Sequence, residues 1–266
     1  MYLQPWKLFV HYEKQVCYNN ANTHLPAKRF YKSEVLQMTL DPSLLKGNRI
    51  VFLGDSITLG YSLTDYNDRF ATRICKKFGA LEVNHGITGT LVAKAGMNRA
   101  DGNSYIDRLS LLQEGDYIVI FGGTNDYFWS DRPIHPPEGE YGNDYFSCAV
   151  NEILQYCCSI GAQARTLIVT PYPHNGIGNY QGGATYNTSC RHDTCDANFN
   201  GHTLSDYVAV LNTACQQAGI ACIDLHEVQG FDWTVHTTEG CHPNPDGHQW
   251  LADQIGEALL AVANNA

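Results

Sequence analysis

Hydrophobic positions along this chain follow two rhythms. Residues 50–53, 81–83, 117–121, 167–169 and 220–225 are short apolar runs, most of them rich in β-branched residues. That is the pattern of strands buried on both faces of a parallel sheet. Between the runs, apolar residues recur at helical spacing. Phe70, Ile74 and Phe78 precede a stop at Gly79, and Tyr105, Leu109 and Leu112 form a second set. Val150, Ile153, Leu154 and Cys157 form a third, and Tyr207, Val208, Leu211 and Cys215 a fourth. A last helix is expected to begin at Asn244-Pro245, with Asn as cap and Pro at the first helical position, and to bury Leu251, Ile255, Leu259 and Val262. Strands alternating with helices imply right-handed crossovers and a three-layer α/β/α domain. Its five-stranded, mainly parallel sheet would have a flavodoxin-like order.

Two stretches break this rhythm. Residues 1–48 carry Tyr2, Trp6, Phe9, Tyr12, Tyr18, Phe30 and Tyr31 without sustained periodicity and end in turn signals. They are expected to form an arm packed on a main domain of residues 49–266, and to offer a contact for a homo-oligomer. Residues 127–145 and 171–203 are long connections rich in Gly, Pro, Asn and aromatic residues. Both leave strand ends on the same side of the sheet, and long irregular loops in a compact domain are usually functional or disordered. They are the expected substrate rim, with Tyr127, Phe128, Trp129, Trp233 and His236 as candidate contacts.

The first apolar run ends abruptly in Gly54-Asp55-Ser56. A serine just beyond a parallel strand lies in the crevice where open α/β sheets place their ligands. Its hydroxyl is a poor nucleophile at neutral pH and needs a base, itself oriented by a third group. Glu239 and His242, three residues apart on one loop, have the chemistry for both tasks. The acyl-transfer intermediate also needs donors aimed at its oxyanion. Asn84-His85-Gly86-Ile87-Thr88-Gly89 and Gly122-Gly123-Thr124-Asn125-Asp126 each follow an apolar run.

Taken in order, Gly-Asp-Ser at 54–56, the Asn84–Gly89 stretch, Gly122–Asp126 and Glu239–Asn244 resemble the four motifs of the SGNH (GDSL-type) hydrolase superfamily, over residues 49–264. The resemblance implies that Ser56 is the nucleophile and His242 the base. Glu239 stands where the family usually has Asp. It also implies an oxyanion hole made of the Ser56 and Gly89 backbone N–H groups and the Asn125 side-chain amide, with Gly86 as the alternative glycine. Asp55 is a candidate substrate contact and is expected to brace the loop rather than react. The implied activity is that of a serine esterase acting on small acyl groups, most plausibly O-acetyl groups on a carbohydrate. A thioesterase or lysophospholipase is the alternative within the same chemistry, and an inactive carbohydrate-binding module the alternative outside it. A conventional α/β-hydrolase is disfavoured, because the chain contains no Gly-x-Ser-x-Gly elbow.

Composition narrows the context. Hydrophobic residues at 44% and charged residues at 17% describe a globular chain. A net charge of −10 argues against nucleic acid and anionic membrane surfaces as partners. No apolar run approaches membrane-spanning length, and no basic and apolar leader opens the chain, so a cytoplasmic location is expected. The ten cysteines are irregularly spaced, and Cys75, Cys157 and Cys215 read as small apolar residues of helices. Cys190, His192, Cys195 and His202 have metal-ligand chemistry, but their spacing fits no common zinc pattern. Neither a metal nor a cofactor is therefore expected. Asn187-Thr188-Ser189 is a glycosylation sequon only in a secreted protein.

Overall fold

Ile50, Val51, Phe52 and Leu53 are all buried, because β1 (Arg49–Gly54) runs between two parallel neighbours in the middle of a sheet. The computed structural model describes residues 40–95, 103–174, 197–198 and 200–266. In chain order, β1 leads into a single turn of helix, α1 (Ser56–Leu59), then α2 (Phe70–Phe78) and β2 (Leu81–Gly86). β3 (Tyr117–Phe121), α3 (Thr124–Trp129), α4 (Phe146–Ser159) and β4 (Thr166–Val169) follow. The remaining elements are α5 (Leu204–Ala218), β5 (Ala221–Ile223), α6 (Trp233–His236) and α7 (Pro245–Asn265). The five strands are parallel and stand in the order β2-β1-β3-β4-β5, the flavodoxin-like arrangement expected from the alternation of elements.

The period-two geometry of a strand divides the core in two. Val51 and Leu53 of β1 join Ile118 and Ile120 of β3 on one face, under Ile153 and Leu154 of α4 and Leu211 and Cys215 of α5. Ile50 and Phe52 join Val119 and Phe121 on the other, under Ile74 and Phe78 of α2 and Leu251, Ile255 and Leu259 of α7. Both helical layers are thus recruited by alternate residues of the same strands.

Several boundaries differ from the sequence expectation. The run at 81–83 continues to Gly86, because parallel pairing with β1 extends to Gly54 opposite Gly86. The stretch containing Tyr105, Leu109 and Leu112 is a 3₁₀ helix, Ile106–Glu114. Part of the connection expected at 127–145 is helical, since α3 extends to Trp129. The last strand ends at Ile223, where the Asp224 side chain turns to accept from Asn212 and Thr170.

Residues 40–48 lie against α7, with Leu45 buried and the Asp41 backbone N–H donating to Asn264 Oδ1 at 2.9 Å. The rest of the expected arm and its oligomer contact, the Asn187 sequon, and Cys190, His192 and Cys195 fall outside the described residues. Among the described residues Cys75, Cys157 and Cys215 are buried thiols, and no helix is long and apolar enough to cross a membrane.

Asn244 caps α7 by accepting from Gly247 N, with Pro245 following it. One turn on, His248 is completely buried and accepts from the Phe70 backbone N–H at 3.3 Å. It thereby serves the N-terminus of α2, where Arg69 provides no side-chain cap. The imidazole stacks on the Phe70 ring, and its Nε2 has no hydrogen-bond partner among the described residues. Burial, with the neighbouring Arg73 charge, lowers His248 to about 3. The unfolded chain binds a proton below about pH 6.5 that the folded chain refuses, so this contribution to stability is complete above that pH and is lost as pH falls towards 3. Between pH 6.5 and 4.5 the wild type should lose about 2–3 kcal/mol more stability than His248→Gln. Urea titrations at both pH values measure this, and equal losses would contradict it.

Candidate active site

The site is built at the carboxyl ends of β1, β2 and β3. Asp55 caps α1 by accepting from the Ile57 backbone N–H at 2.9 Å, and this turn presents Ser56 at the end of β1. Such close seating of α1 on the sheet requires glycine at 86. A Cβ there would lie 2.3 Å from the Leu59 backbone nitrogen. Gly86 therefore has a packing role within β2, and its N–H donates to Asn84 Oδ1 at 2.9 Å.

Ser56 Oγ lies 2.9 Å from His242 Nε2. On the other side of the ring, Nδ1 is hydrogen-bonded to Glu239 Oε1, and the same oxygen accepts from the His242 backbone N–H at 3.0 Å. A carboxylate can only accept, so the proton of the neutral imidazole sits on Nδ1 and Nε2 faces the serine hydroxyl as an acceptor. Burial pushes Glu239 upward, but the hydrogen bonds and charge of His242 outweigh it, and the carboxyl lies below its ordinary range. The loop is pinned by Gly240 N–H to Thr237 Oγ1, Thr238 N–H to the His242 carbonyl, and Tyr172 O–H to the Cys241 carbonyl at 2.6 Å. The Glu239 side chain thus reaches the imidazole from a loop held in place by these bonds.

Beneath Ser56 lies a buried polar network. Asn125, on the first turn of α3, donates its amide to the Thr90 carbonyl at 3.1 Å and to Asp55 Oδ2 at 3.3 Å. Gly89 precedes Thr90 with φ 73°, a conformation that suits glycine. Arg108 is buried and donates to the carbonyls of Gly54, His85 and Ser104 and to Thr90 Oγ1. Its guanidinium lies over the Tyr105 ring, whose hydroxyl donates to the Phe121 carbonyl. The 3₁₀ helix therefore ties together the ends of β1, β2 and β3. Asp126 accepts from the Val92 and Ala93 backbone N–H groups at 2.9 and 3.0 Å. Burial raises Asp55 to about 6, against the Ile57 N–H and the charges of His242 and Arg108. It raises Asp126 to about 7, against the Ala93 and Val92 N–H groups.

The candidate rim residues divide. Tyr127 and Trp129, expected at the surface, are buried, because α3 turns them inward. Tyr127 packs edge-on against Tyr207 and beside His174. Trp233 and His236 are half-buried on α6, which leads into the Glu239 loop. The His236 ring is stacked on Phe231, with Nδ1 accepting from Asp232 N–H. The His236 ring contact is thus to Phe231, away from the Ser56–His242 pair. His202, the described member of the metal-type set, accepts weakly from Ile134 N–H, and no metal-binding group of His, Cys, Asp or Glu occurs among the described residues.

Three residues of the site escape sequence reasoning. Arg108 sits on the same face as the apolar Tyr105, Leu109 and Leu112, and its charge is the one signal of a buried donor. Asp126 follows Asn125 but has no pattern of its own. Tyr61, two residues beyond α1, places its ring 5.0 Å from the His242 ring.

The GDSL-like lipase/acylhydrolase family model matches residues 52–250. No curated protein matches the sequence. Among solved structures, a protein from Lactobacillus plantarum is 24% identical, covering 81% of this chain and 98% of its own, with a TM-score of 0.61. An acetyl-xylooligosaccharide esterase from a Geobacillus species, carrying one substitution, is 16% identical and covers 82% and 96%, with a TM-score of 0.52. A catalytic mutant of an acetylxylan esterase from Geobacillus stearothermophilus is 18% identical and covers 80% and 94%, with a TM-score of 0.51.

Replacing Arg108 by Met should cost about 3 kcal/mol or more, since the buried carbonyls of Gly54, His85 and Ser104 and the Thr90 hydroxyl lose their donor. Urea unfolding gives the size. Native-state hydrogen exchange should show residues 87–90 opening more readily than β4, and an unchanged pattern would contradict the clamp.

Proposed function

Because this chain belongs to the GDSL-like lipase/acylhydrolase family, we propose that it is a serine esterase that removes small acyl groups through an acyl-enzyme on Ser56. The observation that carries the reading is the continuous chain from Ser56 Oγ through His242 to Glu239.

Ser56 Oγ attacks the ester carbonyl carbon as its proton passes to His242 Nε2. Glu239 keeps the ring in the reactive tautomer and stabilises the imidazolium that forms. The carbonyl oxygen becomes an oxyanion and is received by the backbone N–H groups of Ser56 and Gly89 and by the Asn125 amide. The 3.3 Å contact from Asn125 to Asp55 is the longer of its two bonds and the one the amide gives up to the oxyanion. Collapse breaks the ester C–O bond, and the alcohol leaves with the proton from Nε2. Water, deprotonated by the same nitrogen, then hydrolyses the acyl-serine. Asp126 holds residues 92–93 behind the Gly89 turn and touches no reacting atom.

The preferred acyl group is acetyl and the alcohol a carbohydrate. The similarity to an acetylxylan esterase supports this choice, as does the Gly, Asn and Tyr content of the long connections.

Release of p-nitrophenol from its acetyl and octanoyl esters tests the reading. The wild type should favour acetyl, and Ser56→Ala and His242→Ala should abolish turnover. Glu239→Gln should fold normally and lose about 10²–10⁴ in kcat, because the amide no longer enforces the tautomer. Preference for octanoyl would move the assignment to lipid or thioester substrates. Full activity of Ser56→Ala would remove the serine mechanism.

A further inference from the structure

Tyr61 combines a pinned backbone with an open side chain. Its N–H donates to the Ser56 carbonyl at 3.0 Å, and the Ser62 hydroxyl donates to the Pro243 carbonyl. The residue is thereby anchored between the segment that carries Ser56 and the segment that carries His242. The residue remains 61% exposed, with its ring centroid 5.0 Å from that of His242 and the two planes tilted by 47°. An exposed aromatic side chain on so fixed a backbone is a preformed surface, since little conformational freedom remains to be lost when a ligand covers it.

The proposed chemistry decides which part of an ester meets this surface. The alcohol oxygen must receive its proton from His242 Nε2, so the atoms attached to it lie along the edge of the imidazole. The carbonyl oxygen points away, towards Gly89 and Asn125. A ring beside His242 therefore touches the alcohol and not the acyl group. We infer that Tyr61 is a shelf for the leaving alcohol and selects esters whose hydroxyl is carried on a ring, because a ring offers a flat apolar face to an aromatic side chain while a short open-chain alcohol does not. The inference rests on the serine-esterase reading and deepens it by assigning the alcohol subsite. In a purely structural role, Tyr61 would hold the imidazole, and its loss would slow every ester by the same factor.

Cyclohexyl acetate and ethyl acetate separate these cases, since they deliver the same acyl group from alcohols of similar intrinsic reactivity. The quantity to measure is the ratio of their kcat/KM values in wild type, Tyr61→Ala and Tyr61→Phe. The shelf requires the cyclohexyl preference to fall about tenfold in Tyr61→Ala, the size of a lost apolar contact in a specificity pocket. Tyr61→Phe should keep the preference, because the ring face is retained. A ratio in Tyr61→Ala equal to that of the wild type overturns the shelf, whether or not both rates fall, and leaves the esterase reading intact. Failure of the wild type to hydrolyse either ester, while folded, overturns both.

Discussion

Asp55, Thr90, Arg108, Asn125 and Asp126 are taken out of water beneath the strand ends, and each must find its partners inside the protein. That requirement shapes the region. Arg108 alone reaches the ends of β1 and β2 and the Thr90 hydroxyl, and Tyr105 beside it reaches the end of β3. The Thr90 carbonyl and Asp55 then fix the Asn125 amide, and Asp126 fixes the next two backbone N–H groups of the same loop. A loop bound at so many points has few conformations available. In the proposed mechanism that rigidity positions the oxyanion donors in advance, with the Asn125 amide exchanging its longer bond to Asp55 for the oxyanion.

The apolar architecture supplies the platform for this network. Parallel strands end together on one side, and α1 can settle on that edge because Gly86 leaves room for its backbone. Ser56 is delivered there by β1, and His242 by the loop between α6 and α7, across 186 residues of sequence. The Glu239 carboxylate binds both the ring and the backbone of His242, so residue 239 orients the imidazole and the loop together.

Much of this was legible in the sequence, for physical reasons. Uninterrupted runs such as 117–121 occur where both strand faces are covered, and the sheet order follows from the alternation with helices. Ser56, Asn125, Glu239 and His242 lie in motifs at strand ends or on one short loop, and they stand out because the four motifs together resemble those of a known hydrolase family, since each motif alone reads equally well as a turn or a cap. Tyr127 and Trp129 were misplaced because aromatic content does not reveal which way a short helix turns, and α3 turns them inward. Arg108 and Tyr61 were missed for a related reason. Their positions come from elements that meet only in the folded chain, the 3₁₀ helix under three strand ends and the second residue after α1 beside a histidine far along the sequence.

A serine mechanism requires that Ser56 becomes covalently acylated during turnover. Mixing the protein with excess p-nitrophenyl acetate, quenching in acid within one turnover and mapping the peptides by mass spectrometry tests it directly. The expected result is one acetyl group on the peptide containing Ser56, absent in Ser56→Ala and lost from the wild type on longer incubation. Continued ester hydrolysis with no acetyl group on that peptide, or with the group on another residue, would contradict the account.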